Sequence, residues 1–77
     1  MNTRVLLFGA LAELTGQSIL EISNCENTQS IKENLVCRFP ALNNCQFLIS
    51  VDKKIVHNNQ KLEPGNEVAL LPPFAGG

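Results

Sequence analysis

The chain has 77 residues, of which 44% are hydrophobic and 17% charged, and its net charge is −1. That length holds one domain with a small core, here built from aliphatic residues and four Phe, since Trp and Tyr are absent. Six scattered basic residues, of which only Lys53 and Lys54 adjoin, do not make the concentrated cationic footprint that nucleic acid demands. No apolar run approaches the ~20 residues of a membrane helix.

The first element is a strand. "TRVLLFG" (residues 3–9) is apolar without a break, the pattern of a strand buried on both faces and central in a sheet. The N-terminal apolar patch is interrupted by Glu13 and lacks a cleavage pattern, so it reads as structure rather than as a leader, and the expected compartment is the cytoplasm. "ALAELTG" (residues 10–16) predicts one or two helical turns, with Leu11 and Leu14 on one face and Gly16 just past the end. "QSILEI" (residues 17–22) alternates and predicts a strand with one wet face.

After the polar loop "NCENT" (residues 24–28) comes the main helix. Thr28 is a candidate N-cap, Ser30 with Glu33 is an alternative capping box, and Ile31, Leu35 and Phe39 form an apolar stripe that ends at Pro40. "QFLISVD" (residues 46–52) places Phe47, Ile49 and Val51 on one face, and "DKK" turns the chain into Ile55 and Val56 as a hairpin. "HNNQKL" is loop. "EPGN" (residues 63–66) has Pro and Gly where a type II turn needs them, and "EVALL" is the last strand.

The order is strand, short helix, strand, helix, strand, short strand, strand. It predicts an α+β fold in which a mixed sheet packs on one main helix, the order of the β-grasp fold found in ubiquitin. A dinucleotide-binding fold is disfavoured, because no Gly-rich phosphate loop follows the first strand.

Little in the chain suggests catalysis or metal binding. Cys25, Cys37 and Cys45 are odd in number and match no zinc spacing, so they read as reduced thiols. His57 stands alone, without the third group that would orient a Cys-His pair. No metal or cofactor is expected to bind this chain by itself.

The unusual stretch is "VALLPPFAGG" (residues 68–77). Pro72 and Pro73 carry no backbone donor, so strand pairing must stop there and the chain must leave the sheet in an extended form. Phe74 is carried outward as a candidate anchor for a partner pocket. Gly76 and Gly77 have no side chains, so a tail ending in them can thread a narrow channel and deliver a terminal carboxylate. A carboxylate is a poor acyl donor; adenylation would supply a leaving group that a sulfur nucleophile could replace. The chain has no P-loop, so a partner must supply that activation.

Over nearly its full length the chain resembles the MoaD-type sulfur carriers, the small subunits of molybdopterin synthase. The resemblance rests on "LLFGALAELTG", "RFPAL" and, most specifically, "EPGNEVALLPPFAGG". It implies a β-grasp domain spanning residues 1–77 with a protruding tail at 72–77. It also implies two partners: an E1-like adenylyltransferase that uses ATP to make a glycyl adenylate, and the large catalytic subunit. Sulfur transfer would convert Gly77 to a thiocarboxylate, which donates sulfur to precursor Z (cyclic pyranopterin monophosphate). By position Gly77 is then the reactive residue, and Pro72, Pro73, Phe74, Ala75, Gly76 and Gly77 are the partner-binding residues. The resemblance also suggests a heterotetramer of two large and two small subunits. Ala10 and Ala12, Asn66 and the Asp52-Lys53-Lys54 turn depart from the family's usual residues.

Three other readings keep the tail in view: a thiamine-pathway sulfur carrier, a ubiquitin-like protein modifier, and a non-catalytic interaction module whose tail is incidental. The proline pair followed by an aromatic favours the molybdopterin branch. On that reading the partner surface uses the last strand and its neighbours.

Overall fold

The computed structural model describes residues 2–23 and 25–73. Five strands, β1 (Asn2–Leu7), β2 (Ile19–Ser23), β3 (Leu48–Val51), β4 (Lys54–Val56) and β5 (Glu67–Leu71), form one sheet. Its order is β2-β1-β5-β3-β4. The helices α1 (Ala10–Thr15) and α2 (Thr28–Arg38) lie between strands in the chain, and a 3-10 turn spans Pro40–Asn44. β1 pairs antiparallel with β2 and parallel with β5, while β3 is antiparallel to both β4 and β5. This is the mixed β-grasp sheet that the element order predicts.

One face of the sheet builds the core. Val5, Leu7, Leu20, Ile22, Val51, Val68 and Leu70 are buried, together with Ile31 and Leu35 of α2 and with Leu11, Leu42 and Leu62. The apolar repeat of α2 therefore does what its spacing predicts. Phe39, the third member of the stripe, departs from it. It stands past the helix at φ −130°, with its N–H donating to Leu35 O at 2.8 Å. It is half-buried, and the Arg38 guanidinium lies 5.8 Å from its ring centroid, within cation–π range. Pro40 does not merely stop the chain: it opens the 3-10 turn, which needs no donor from its first residue and buries Leu42.

Three local expectations are corrected. The N-cap of α2 is Asn27, whose Oδ1 accepts from Ser30 N–H at 2.8 Å; neither Thr28 nor Ser30 serves. Thr28 is instead buried and ties the helix start to the 57–62 segment. Its hydroxyl oxygen accepts from Gln60 N–H at 2.9 Å, and Asn59 Oδ1 accepts from Gln29 N–H at 2.8 Å. In α1 only Leu11 is buried, and Leu14 faces out. The side chain one turn on from Leu11 is Thr15, which is half-buried and donates its hydroxyl back to Leu11 O at 3.0 Å. β1 is buried on one face, not two: Thr3, Val5 and Leu7 are covered, Arg4 is exposed and Leu6 half-covered.

Two turns fix where β5 begins. Asp52 and Lys53 both have positive φ, 51° and 71°, as a two-residue hairpin turn requires, although neither is Gly. Gly65, at φ 90°, supplies the positive φ expected of the "EPGN" turn, in which Asn66 N–H donates to Glu63 O at 3.1 Å. The Asp52 carboxylate joins the two turns: it accepts from Asn66 Nδ2 at 2.7 Å and from Glu67 N–H at 2.9 Å.

Two measurements follow. Lys53 lacks the conformational freedom its φ calls for, so Lys53→Gly should raise the unfolding free energy by about 0.5–1 kcal/mol in urea titration; a lowered midpoint would contradict the turn geometry. Burial pushes the Cys25 thiol above its ordinary value of 9.0. Between that unfolded value and the raised folded one the native state holds the extra proton, so stability falls as pH rises through the window. Cys25→Ala should flatten that fall; an unchanged slope would show that Cys25 does not cause it.

Candidate docking face and tail exit

The sheet face away from α2 carries a row of paired residues that crosses all five strands. Ile19 pairs with Leu6, Leu6 with Ala69, Ala69 with Ser50, and Ser50 with Ile55. Paired residues point to the same face, so these side chains form one band. Large residues stand at its two edges, with Ile19 53% and Ile55 46% exposed, and the small Ala69 and Ser50, both buried, occupy the middle. The next pair toward the end of β5 is Leu48 with Leu71, and Phe8, just past β1, is also 46% exposed.

The opposite end of the same face is charged. Arg4 pairs with Glu21 on one side and Glu67 on the other. Because β1 and β5 are parallel, the charged end lies where both strands start, and the apolar end where both finish. An apolar patch of this kind, rimmed by charge, is the usual mark of an interaction surface. A β1 buried on both faces would place Leu6, the residue it contributes to this patch, in the core. The signal that locates it is the pairing of strands, which brings Leu6, Ile19, Ile55 and Leu71 together from separate parts of the chain.

The tail leaves from the apolar end. The last hydrogen bond of the β1–β5 side runs from Phe8 N–H to Leu70 O at 3.3 Å. Leu71 closes β5, Pro72 is half-buried and Pro73 exposed. The proline pair thus ends strand pairing where expected. Phe74, Ala75, Gly76 and Gly77 lie outside the described residues. The structure therefore places the root of the predicted site, Pro72 and Pro73, beside the band of Leu6, Ile19, Leu48, Ile55, Ala69 and Leu71.

The other candidate groups lie elsewhere. His57 and Cys45 line a cleft of about 410 Å³ between α2 and the β3–β4 side, with Lys32, Gln46, Asn58 and Asn59. Ile49 and Val56, a strand pair, put this cleft on the helix-covered side, away from the docking face. Cys25 is buried in the core and Cys37 is exposed. Among the described residues no group of three His, Cys, Asp or Glu side chains is placed to hold a metal ion, and no helix is long and apolar enough to cross a membrane.

The ThiS family profile matches residues 5–77. The molybdopterin synthase sulfur carrier subunit of Chlamydomonas reinhardtii is 26% identical, and the match covers all of both chains. Among solved structures, SAMP1 from Haloferax volcanii superposes with a TM-score of 0.82 at 21% identity over the whole of each chain. A chain in the complex of subunits 1 and 2 of the molybdopterin-converting factor from Helicobacter pylori superposes with a TM-score of 0.73, also at 21% identity and full coverage. The fold is the ubiquitin-like β-grasp that these structures share.

The two faces of the sheet should respond differently to substitution. Leu70→Ala, on the covered face, should cost about 2–5 kcal/mol of stability. Ile55→Asp, on the open face, should shift it by no more than about 0.5 kcal/mol. Chemical denaturation of both variants checks this, and a large loss at Ile55 would mean that the open face is part of the core.

Proposed function

Since the chain belongs to the ThiS family, we propose that it is the sulfur carrier and small subunit of molybdopterin synthase. An E1-like adenylyltransferase activates its C-terminus: the Gly77 carboxylate attacks the α-phosphorus of ATP, and pyrophosphate leaves. A sulfur donor then displaces AMP, which converts the glycyl adenylate to a thiocarboxylate. The carrier docks on the large catalytic subunit, its Gly76-Gly77 end enters the active site, and sulfur passes to precursor Z on the way to the dithiolene of molybdopterin. The protein works in the cytoplasm and binds no cofactor of its own; ATP belongs to the activating partner.

The observation that carries this reading is the junction of tail and patch. β5 ends at Leu71, directly before Pro72-Pro73, on the same side of the domain as the apolar half of the open face. A partner that covers Leu6, Ile19, Ile55 and Leu71 is thereby next to the root of the tail. Docking energy from apolar burial can then serve to hold a reactive end in place, which is how remote binding supports chemistry at a distant atom. The full-length similarity to a molybdopterin synthase sulfur carrier subunit supports the choice of pathway. The likeness to a small archaeal modifier protein supports the fold, and leaves protein modification as the second reading.

A reconstituted reaction with activating enzyme, ATP, sulfur donor, large subunit and precursor Z tests the proposal. Deleting Gly77 should abolish molybdopterin formation while the melting temperature stays within a degree or so of the full chain, because the core is built from residues between Val5 and Leu70. Retained product formation would refute the role of the tail. Ile55→Asp should weaken binding to the large subunit by roughly tenfold or more. Undiminished affinity would remove the open face from the interface.

A further inference from the structure

The prolines that end the pairing of β5 leave the root of the tail without a donor to the sheet. Pro72 and Pro73 have no N–H, so no strand hydrogen bond donated by them can hold the chain once β5 has ended. Something else must set the angle at which the tail departs. The Pro72 ring lies against Gly9.

Gly9 stands between β1 and α1 at φ 57° and ψ −133°, a backbone conformation that glycine adopts freely and L-residues rarely do. Its carbonyl accepts from Ala12 N–H at 3.1 Å and from Glu13 N–H at 3.3 Å, so it starts α1 and cannot shift without moving that helix. The preceding residue, Phe8, makes the 3.3 Å bond to Leu70 O. Gly9 is therefore held from both sides. A Cβ at this position would lie 3.0 Å from Pro72 Cγ and 3.9 Å from Pro72 Cδ. The first distance is shorter than the 3.5–4.0 Å or so of a relaxed carbon–carbon contact. The bare α-carbon is what lets the Pro72 ring come this close.

We propose that Gly9 is a positioning residue for the tail: its missing side chain makes a seat for Pro72, and the seat sets the direction in which the C-terminal residues leave the sheet. The inference deepens the sulfur-carrier reading and takes its functional consequence from it. Five residues, 73–77, follow Pro72. Threaded in an extended form, five residues reach about 17 Å, so a change of about 10° at the root would displace the far end by about 3 Å. Misplacement of a reacting group by about 1 Å can already cost a hundredfold in rate. The role of Gly9 is distinct from that of the open face. The face governs how tightly the carrier binds; the seat governs where the reactive end lies once it is bound.

The test compares Gly9→Ala, Pro72→Ala and the double variant. Pro72→Ala deletes Cγ, the atom that a Cβ at position 9 would strike, while both Gly9→Ala proteins share the same backbone strain. The readouts are affinity for the large subunit and the single-turnover rate of sulfur transfer to precursor Z at saturating large subunit. Gly9→Ala should slow transfer roughly tenfold with affinity changed far less; Pro72→Ala should slow it less than that, and the double variant should match Pro72→Ala, because without Cγ the added Cβ has nothing to strike. A double variant as slow as Gly9→Ala, or a Gly9→Ala protein as fast as the unmodified chain, overturns the proposal. If Gly9→Ala does not fold, two measurements decide. The unmodified protein should show a nuclear Overhauser effect between Gly9 Hα and Pro72 Hγ, and Pro72→Gly should slow transfer at saturating large subunit while its circular dichroism spectrum stays that of the unmodified chain. Absence of either effect overturns the proposal. If the unmodified chain forms no thiocarboxylate, the sulfur-carrier reading fails instead, and the seat is judged on the Overhauser contact alone.

Discussion

The pairing of β5 between β1 and β3 is the constraint on which the rest of the structure depends. Residues from the end of the chain enter the middle of the sheet, with Val68 against Val5 on one side and against Val51 on the other. Val68 and Leu70 are fully buried there, so the last strand is as much a part of the core as the first. A central strand cannot fray as an edge strand does, because its backbone groups are held on both sides. The consequence is a fixed root for whatever follows Leu71. A protein that must present its C-terminus to a partner gains a rigid platform immediately before the presented segment.

The same pairing sorts the open face. Two parallel neighbours, β1 and β5, share a direction, so residues at equivalent points along them lie at the same end of the sheet. Arg4 and Glu67 gather at the start, where Asp52 also receives the Glu67 N–H. Leu6, Ala69 and Leu71 gather toward the finish, flanked by Ile19 and Ile55. Apolar surface next to the exit is costly to leave in water and becomes favourable when a partner covers it. Charge at the far end keeps the remainder of the sheet solvated. In the proposed function the apolar half of this division supplies affinity for the large subunit.

Much of the fold is legible in the sequence because local pattern and tertiary packing agree. Ile31 and Leu35 read as one helical face and are both fully buried, and Gly16 and Gly65 stand where positive φ is needed. Legibility fails where a residue serves two readings. The unbroken "TRVLLFG" run suits a strand buried on both faces equally well as a strand with one core face and one docking face. Only the register with Ile19 and Ala69 separates them. Asn27 was hidden as a cap because Thr28 beside it is also a good capping residue, and Thr28 was required for the bond from Gln60. The Asp52-Lys53 turn gave no glycine to mark its positive φ angles; the anchoring of Asp52 on Asn66 and Glu67 makes the conformation tolerable. Of the candidate site, the proline pair and the terminal glycines were plain in the sequence. Its apolar surroundings were not, since they come from five strands and no single segment carries them.

The central claim is that this domain exists to hold and deliver a reactive C-terminal glycine. The most direct measurement is the intact mass of the protein after incubation with its activating enzyme, ATP and a sulfur donor. A sulfur carrier should show an oxygen-to-sulfur mass increase that fragmentation places at Gly77 and that disappears when ATP is withheld. An unchanged mass, or a modification located at Cys25, Cys37 or Cys45 instead, would contradict it.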